Sequence, residues 1–293
     1  ELRTTATGLR GFFLADPDEL SLLALVDQFA HDEPVAPGRM FRLEGGNDRL
    51  TSALAAGLEG RLLLNTEVLG VSTRGGNARV SLRSGRRRDQ VTVDYVVFAL
   101  PATLLRRIPI SPGLPVHQHE AIASLKYGRA TKTLLQFDQR FWKRPGRPRA
   151  FGSALPVGAG WDANEEQRGR AGILALLAGG SASDLTSDIV EREGAPGLAR
   201  LLDWLGSSNA ALVGSTHARW ESDPWSRGGY AVFDPSFPAA SRRLLAQPSG
   251  PLFFAGEHTS LRWQGYMNGA VESGRRAAFE ILATQKMRGE QRP

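Results

Sequence analysis

Cysteine is absent from the 293 residues, which excludes disulfides, thiolate metal sites and any cofactor bonded through a cysteine sulfur. That absence accords with a reducing, cytoplasmic setting. No apolar run reaches the length needed to cross a bilayer, and the first residues carry no signal-peptide pattern. Also missing is a G-x-G-x-x-G between a strand and a helix, the loop on which a dinucleotide's pyrophosphate rests. Gly179-Gly180 lacks its spacing. The chain starts at Glu1 rather than Met. Acidic charge is in slight deficit, giving a net charge of +6 and a pI near 10.1, but the arginines are scattered. The one block, Arg86-Arg87-Arg88, follows Ser84-Gly85 between strand-like runs and reads as a solvated hairpin tip. Without interleaved aromatics it does not suggest nucleic-acid binding. His117 and His119 fall on different faces of one helix with no carboxylate cluster nearby, so no metal site is expected.

What remains is ordinary globular composition, 41% hydrophobic and 23% charged, enough for one large or two ordinary domains. The most informative stretch is Pro251–Leu282, PLFFAGEHTSLRWQGYMNGAVESGRRAAFEIL. It reads as a short apolar strand, a Gly256-Glu257 turn, a polar loop and a long helix with Gly265 near its mouth. Small residues (Gly269, Ala270, Ser273, Gly274, Ala277, Ala278) run along the helix and allow a ligand or strand to come close. A glycine turn beside a helix N-terminus presents N–H groups and a helix dipole to an anionic or electron-rich ligand.

This string resembles the C-terminal flavin signature of the flavin-containing amine oxidases (monoamine, polyamine and L-amino-acid oxidases). The resemblance implies that Gly256 and Glu257 lie by the phosphates and ribityl chain of FAD. It also implies that the helix entered at Gly265, Tyr266 and Met267, with Ala270 one turn on, points at the flavin's pyrimidine edge. A helix N-terminus there would stabilise the negative charge of reduced flavin. Because the family's G-x-G-x-x-G loop lies near its N-terminus, the resemblance covers roughly the C-terminal two-thirds of a member, with an N-terminal segment expected to be absent here.

In chain order, Asp16, Pro17 and Glu19 form a helix start, with LSLLALVDQFA running helical to about Ala30. Met40 to Leu43 is strand-like, and LTSALAAGL is a helix capped by Asn47 or Asp48. Strands are expected over Leu62–Val71, Ala78–Leu82 and Val91–Leu100, forming a small antiparallel layer on a larger sheet. Pro101–Leu114 connects to a helix opened by Pro115. Thr131–Phe137 alternates as a half-buried strand containing Lys132, whose ammonium needs a partner, a water or a path to solvent. Gly146–Arg170 is loop-rich, Gly172–Ala178 is a buried strand, and Ala182–Glu193 and Gly197–Leu205 are helices. Residues after Met287 are expected to fray.

Three further segments carry the family resemblance. FRLEGGNDRLTSALA, with Gly45 and Gly46, is similar to the second flavin-domain segment, and Val68 matches a residue whose backbone contacts the adenine; on spacing alone it would be core. Gly128, Lys132 and Phe141-Trp142 match the segment whose lysine holds a water near flavin N5. ARWESDPWSRGGYAVFDP matches the segment that re-enters the flavin domain. There Gly229 stands where monoamine oxidases carry the cysteine bonded to flavin, so FAD would be non-covalent. Tyr230 and Tyr266 match the two walls of the family's aromatic cage. Trp220 and Trp263 are the tryptophans assigned to the cofactor side, although packing explains either on spacing alone.

The fold expected is α/β (α+β), with a discontinuous Rossmann-like FAD-binding domain and a mixed-sheet and helix substrate domain. The implied division is 1–38 (substrate-domain helix), 39–121 (FAD domain), 122–222 (substrate domain) and 223–293 (FAD domain). The implied activity is oxidation of an amine to an imine with O₂ reduced to H₂O₂. Lys132, Tyr230 and Tyr266 would be catalytic. Arg149, Arg168 and Arg170 are available by type for a substrate carboxylate. Two alternatives stay open: a flavin oxidoreductase of carotenoid or porphyrinogen type, and a non-catalytic or truncated fragment needing a separate N-terminal chain.

Overall fold

The structure is a computed structural model that describes residues 7–22, 26, 42–58, 60–143, 145 and 150–290. Most of the helix expected to run to Ala30, and residues Met40 and Phe41, lie outside the described residues. Arg42 and Leu43 are not strand. A short helix, α1 (Arg10–Phe13), comes first and has no sequence expectation behind it. The Asp16 capping box is present, but it closes a single 3-10 turn, Pro17–Glu19, after which Leu20 is extended. Asp16 is occupied elsewhere too, accepting the N–H of Ser181 at 2.8 Å. Helix α2 (Asp48–Ala56) begins after Asn47 as expected.

The first layer is a meander. Strands β1 (Thr66–Arg74), β2 (Asn77–Ser84) and β3 (Arg87–Val93) pair antiparallel, and Gly85 takes φ 59° at the hairpin tip where the arginine block sits. The expected single strand Val91–Leu100 is in fact two. It breaks at Asp94-Tyr95, and β4 (Val96–Phe98) leaves for a different sheet. An aspartate inside an apolar run is a poor ladder residue, and here it marks the change of sheet. Helix α3 (Ala102–Leu105) and β5 (Ile110–Ser111), which pairs parallel to β1, occupy what reads in sequence as a plain connector. Helix α4 (Val116–Ser124) follows Pro115, with His117 and His119 exposed.

The second layer is a five-stranded antiparallel sheet. After the short β6 (Lys126–Tyr127) come β7 (Ala130–Phe137), β8 (Ala150–Gly152), β9 (Ala159–Asp162) and β10 (Gly172–Gly179). Two of these strands fall in the stretch expected to be loop, because Gly158, Gly160 and the adjoining polar residues dilute the period-two signal. Helix α5 (Ser181–Arg200) packs on one face, kinked where Gly194 sits at φ 66°, ψ −170° ahead of Pro196. That kink is the boundary expected between two helices. Strand β11 (Leu212–Arg219) completes the order β11-β7-β10-β9-β8.

The last segment returns to the first layer. Strand β12 (Ala231–Val232) pairs with β6, and β13 (Leu252–Phe254) pairs parallel with β4. Phe98 and Phe254 stack at 5.6 Å in a core shared with Val71, Val80 and Leu125. Helix α6 (Met267–Glu290) outlasts the fraying expected after Met287. Arg288 anchors its end by donating to the Gly76 carbonyl at 3.1 Å and lying over the Tyr95 ring.

Candidate active site at the meeting of the two layers

Alternation along β7 sorts its side chains onto two faces. Thr131, Thr133, Leu135 and Phe137 are buried toward α5, and the Thr131 hydroxyl lies 2.7 Å from Ser183 Oγ. Lys132 therefore points to the opposite face. Its register partner on β10 is Leu177, and directly opposed residues share a face. The Lys132 ammonium lies over the Trp161 ring at 5.4 Å. Burial, and then the charge of Arg42, hold its pKa below the ordinary lysine value. Arg42 is itself bonded to the Asp162 carbonyl at 3.2 Å and paired with Glu165.

Leu177 and Phe12 are shared by two adjoining cavities. One, of about 220 Å³, is lined by Phe13, Tyr230, Gly265 and Tyr266 as well. The other, of about 380 Å³, extends to Phe151 and Trp161. Of the three residues proposed in sequence as catalytic, Tyr230 and Tyr266 line the first cavity; Lys132 lines neither, but its register partner Leu177 and its ring partner Trp161 line the second. Burial raises the Tyr230 pKa well above the phenol range, so both the ring and its hydroxyl are neutral. The Tyr230 hydroxyl donates to the Phe12 carbonyl.

Glycines set the spacing at two points. A Cβ built on Gly229 would lie 2.3 Å from Leu14 Cδ1 and 3.0 Å from Ala130 Cβ, so no side chain fits there without movement. Gly265 has φ 80°, a conformation L side chains rarely adopt, and the Tyr230 ring packs against it, 3.4 Å from where a Cβ would stand. Trp263 meets Tyr266 edge to face at 6.1 Å.

The signature loop is more self-satisfied than its sequence suggests. The Gly256 N–H donates to Ser273 Oγ at 2.9 Å, and its carbonyl accepts from Thr259. The Gly265 N–H donates to Glu257 at 2.7 Å. Gly269 and Ala270 both donate to the Tyr266 carbonyl. Among the described residues the N–H groups of Met267 and Asn268, at the mouth of α6, have no hydrogen-bond acceptor, and they carry the dipole of a 24-residue helix.

Other residues singled out in sequence lie elsewhere. Val68 is half-buried against the core of the first layer. Gly45 and Gly46, at φ 84° and 109°, form the exposed turn before α2. Trp220 is exposed, its carbonyl capping the Asp223–Gly228 turn. Arg168 and Arg170 are exposed, and Arg149 lies outside the described residues. Sequence reasoning missed Phe12, Phe13 and Leu177. The only signal for the first two was a pair of phenylalanines directly after Gly11, with no period to place them.

Residues 2–282 match the model of the flavin containing amine oxidoreductases, and the chain belongs to that family. It is 29% identical over 254 residues to flavin-containing amine oxidase B of Sus scrofa, covering 84% of this chain and 48% of that one. To an L-amino-acid oxidase of Mus musculus it is 32% identical over 266 residues, 83% of this chain and 39% of the other. The chain thus spans about half or less of the length of these relatives. Among solved structures, cyclohexylamine oxidase from Brevibacterium oxydans IH-35A shares the fold with TM-score 0.82 at 23% identity, over 97% of this chain and 64% of that one. Wild-type putrescine oxidase bound to putrescine superposes with TM-score 0.72 at 25% identity, over 82% and 53%.

The tyrosine-lined cavity fits a flavin ring system better than a whole dinucleotide. Its walls are aromatic and aliphatic, and two unbonded helix N–H groups suit an anionic ring edge. For the pyrophosphate, the chain offers no glycine-rich strand-to-helix loop.

Proposed function

We propose that this chain forms the substrate-side part of an FAD-dependent oxidase that converts an amine to an imine, with O₂ reduced to H₂O₂. The observation that supports the reading is a cavity beside the mouth of α6 lined by Tyr230, Gly265 and Tyr266, with Lys132 over Trp161 at the cavity next to it. When bound, FAD supplies the acceptor for the two electrons that leave the amine carbon. The protein's own share is positioning and electrostatics. Tyr230 and Tyr266 offer neutral rings between which an amine is steered and water kept out. Met267 and Asn268 would offer N–H groups to the bound flavin, and Gly256, Glu257, Trp263 and Ala270 would build the cradle around it. Lys132, its charged form disfavoured by burial, would hold a water on the flavin side. Gly229 has no sulfur to bond a flavin, which supports non-covalent FAD.

One observation favours a second requirement, that another polypeptide segment completes the cofactor site. The outer face of α6 exposes Met267, Val271, Phe279 and Leu282, and β4–β13 is a bare two-stranded parallel pair. Parallel strands are stable when covered and extended on both sides. A further βα layer carrying a phosphate loop, in the same chain or a separate one, would serve both surfaces.

The test uses the complete flavoprotein and a panel of amines, following H₂O₂ release and the flavin spectrum. Lys132→Met is expected to slow flavin reoxidation by O₂ while FAD stays bound. An unchanged reoxidation rate would remove the role given to Lys132, and a wild-type protein that reduces no flavin with any amine would defeat the oxidase reading.

A further inference from the structure

A single carboxylate joins the two segments that carry the tyrosines. Glu257 Oε1 accepts the N–H of Ala231 at 3.0 Å, and its Oε2 accepts the N–H of Gly265 at 2.7 Å. Ala231 follows Tyr230, and Gly265 precedes Tyr266. The carbonyl of Ala231 is held as well, by the side-chain amide of Gln264. On the other side of the same peptide, the Tyr230 carbonyl accepts from the Gly128 N–H at 2.9 Å. The peptide between Tyr230 and Ala231 is therefore fixed at both its oxygen and its N–H. The N–H bond runs to a residue 26 positions away in sequence.

Without such a link the two segments would have little common reference. Strand β12 is two residues long, and the loop from Gly256 to Tyr266 contains only one 3-10 turn. Neither is a rigid element by itself. A carboxylate with both oxygens engaged by backbone N–H groups makes two charge-assisted bonds, stronger than neutral ones. Burial outweighs the pull of these two N–H groups and leaves the Glu257 carboxyl pKa raised from its ordinary range.

We infer that Glu257 is a positioning residue that sets the separation of Tyr230 and Tyr266 by bracing the backbone beside each, and so fixes the width of the slot that admits the amine. This rests on the oxidase reading for the word amine, but the brace itself does not. In the family resemblance Glu257 stands by the ribityl chain. Here both its oxygens are committed to protein N–H groups.

The experiment compares wild type, Glu257→Gln and Glu257→Ala in the complete flavoprotein. Hydrogen exchange is read at the Ala231 and Gly265 amides, and steady-state kinetics are measured with benzylamine as the probe. In Glu257→Ala both amides should exchange about ten-fold faster, the loss of one charge-assisted bond each. In Glu257→Gln only one should be released, because one of the two oxygens has become an NH₂ that cannot accept. KM for benzylamine should rise several-fold, more in Ala than in Gln, with kcat changed less. The flavin spectrum should persist. Wild-type exchange at both amides in the Gln variant would overturn the brace even if the Ala variant fails to fold. Released amides with KM unchanged would overturn its control of the slot. If wild type oxidises no amine, the oxidase reading fails, while the exchange data still decide the brace.

Discussion

Helices α5 and α6 are the two longest in the molecule's described residues, and they are treated in opposite ways. α5 buries Ala182, Ser183, Thr186 and Ser187, with Thr131 bonding the serine hydroxyls from the sheet beneath, and leaves one large apolar side chain, Leu185, exposed. α6 is anchored on one side only. Ser273 and Ala277 face β13, while Val271, Phe279 and Leu282 are 51%, 62% and 58% exposed. The contrast is between one large apolar side chain left exposed on α5 and several on α6. The cavity with the two tyrosines takes Leu177 from β10 and Gly265 and Tyr266 from the loop that leads into α6.

The sharpest way to test that contrast is to cut each side by a similar amount. Leu135 is fully buried between β7 and α5, and Leu135→Ala should destabilise by about 3 kcal/mol or somewhat more. Phe279→Ser on α6 should change the stability of the isolated chain by less than about 0.5 kcal/mol. Urea unfolding of both variants measures the difference, and equal losses would mean that α6 is already covered.

A slightly smaller effect should come from pH. His258 is buried beside Tyr127 and Arg276, and burial, followed by the Arg276 charge, lowers its pKa from 6.5 to about 4. The unfolded chain binds that proton near pH 6.5 and the folded chain only near pH 4. Stability is therefore full above pH 6.5 and falls as the pH drops toward 4, by about 3 kcal/mol. His258→Gln should flatten that fall in thermal melts across pH 4–7. An unaltered slope would mean that the imidazole is not held neutral.

Gly265 offers a finer probe of the loop that leads into α6. Its φ of 80° makes Gly265→Ala unfavourable by about 1–2 kcal/mol, although the new methyl would only touch the Tyr230 ring at an ordinary distance. Chemical denaturation should show the loss. No loss would mean that the loop relaxes freely and does not hold Tyr266 in place.

Much of this was legible in the sequence where local chemistry and period agree. The β7 alternation placed Lys132, and the glycine turn and long helix after β13 were plain from their residues. The break expected between Glu193 and Gly197 coincides with the α5 kink at Gly194. Illegible were features that depend on what a segment meets in space. The Val91–Leu100 run divides because Asp94-Tyr95 is where the chain changes sheets. Strands β8 and β9 are too short and glycine-rich to declare themselves. Phe12 joins the cavities only because α1 lies against β10. The dual use of Glu257 could not be read either: a glutamate after a turn glycine has the same letter whether it faces ligand or backbone.

The central claim is that Tyr230, Tyr266 and the mouth of α6 cradle an isoalloxazine ring. Titrating the chain with lumiflavin, which carries the ring but no phosphates, tests it without reference to the missing phosphate loop. Saturable quenching of lumiflavin fluorescence, weakened by Tyr266→Ala, is the expected result. Fluorescence that is unaffected by the protein, or quenching indifferent to Tyr266, would contradict the claim.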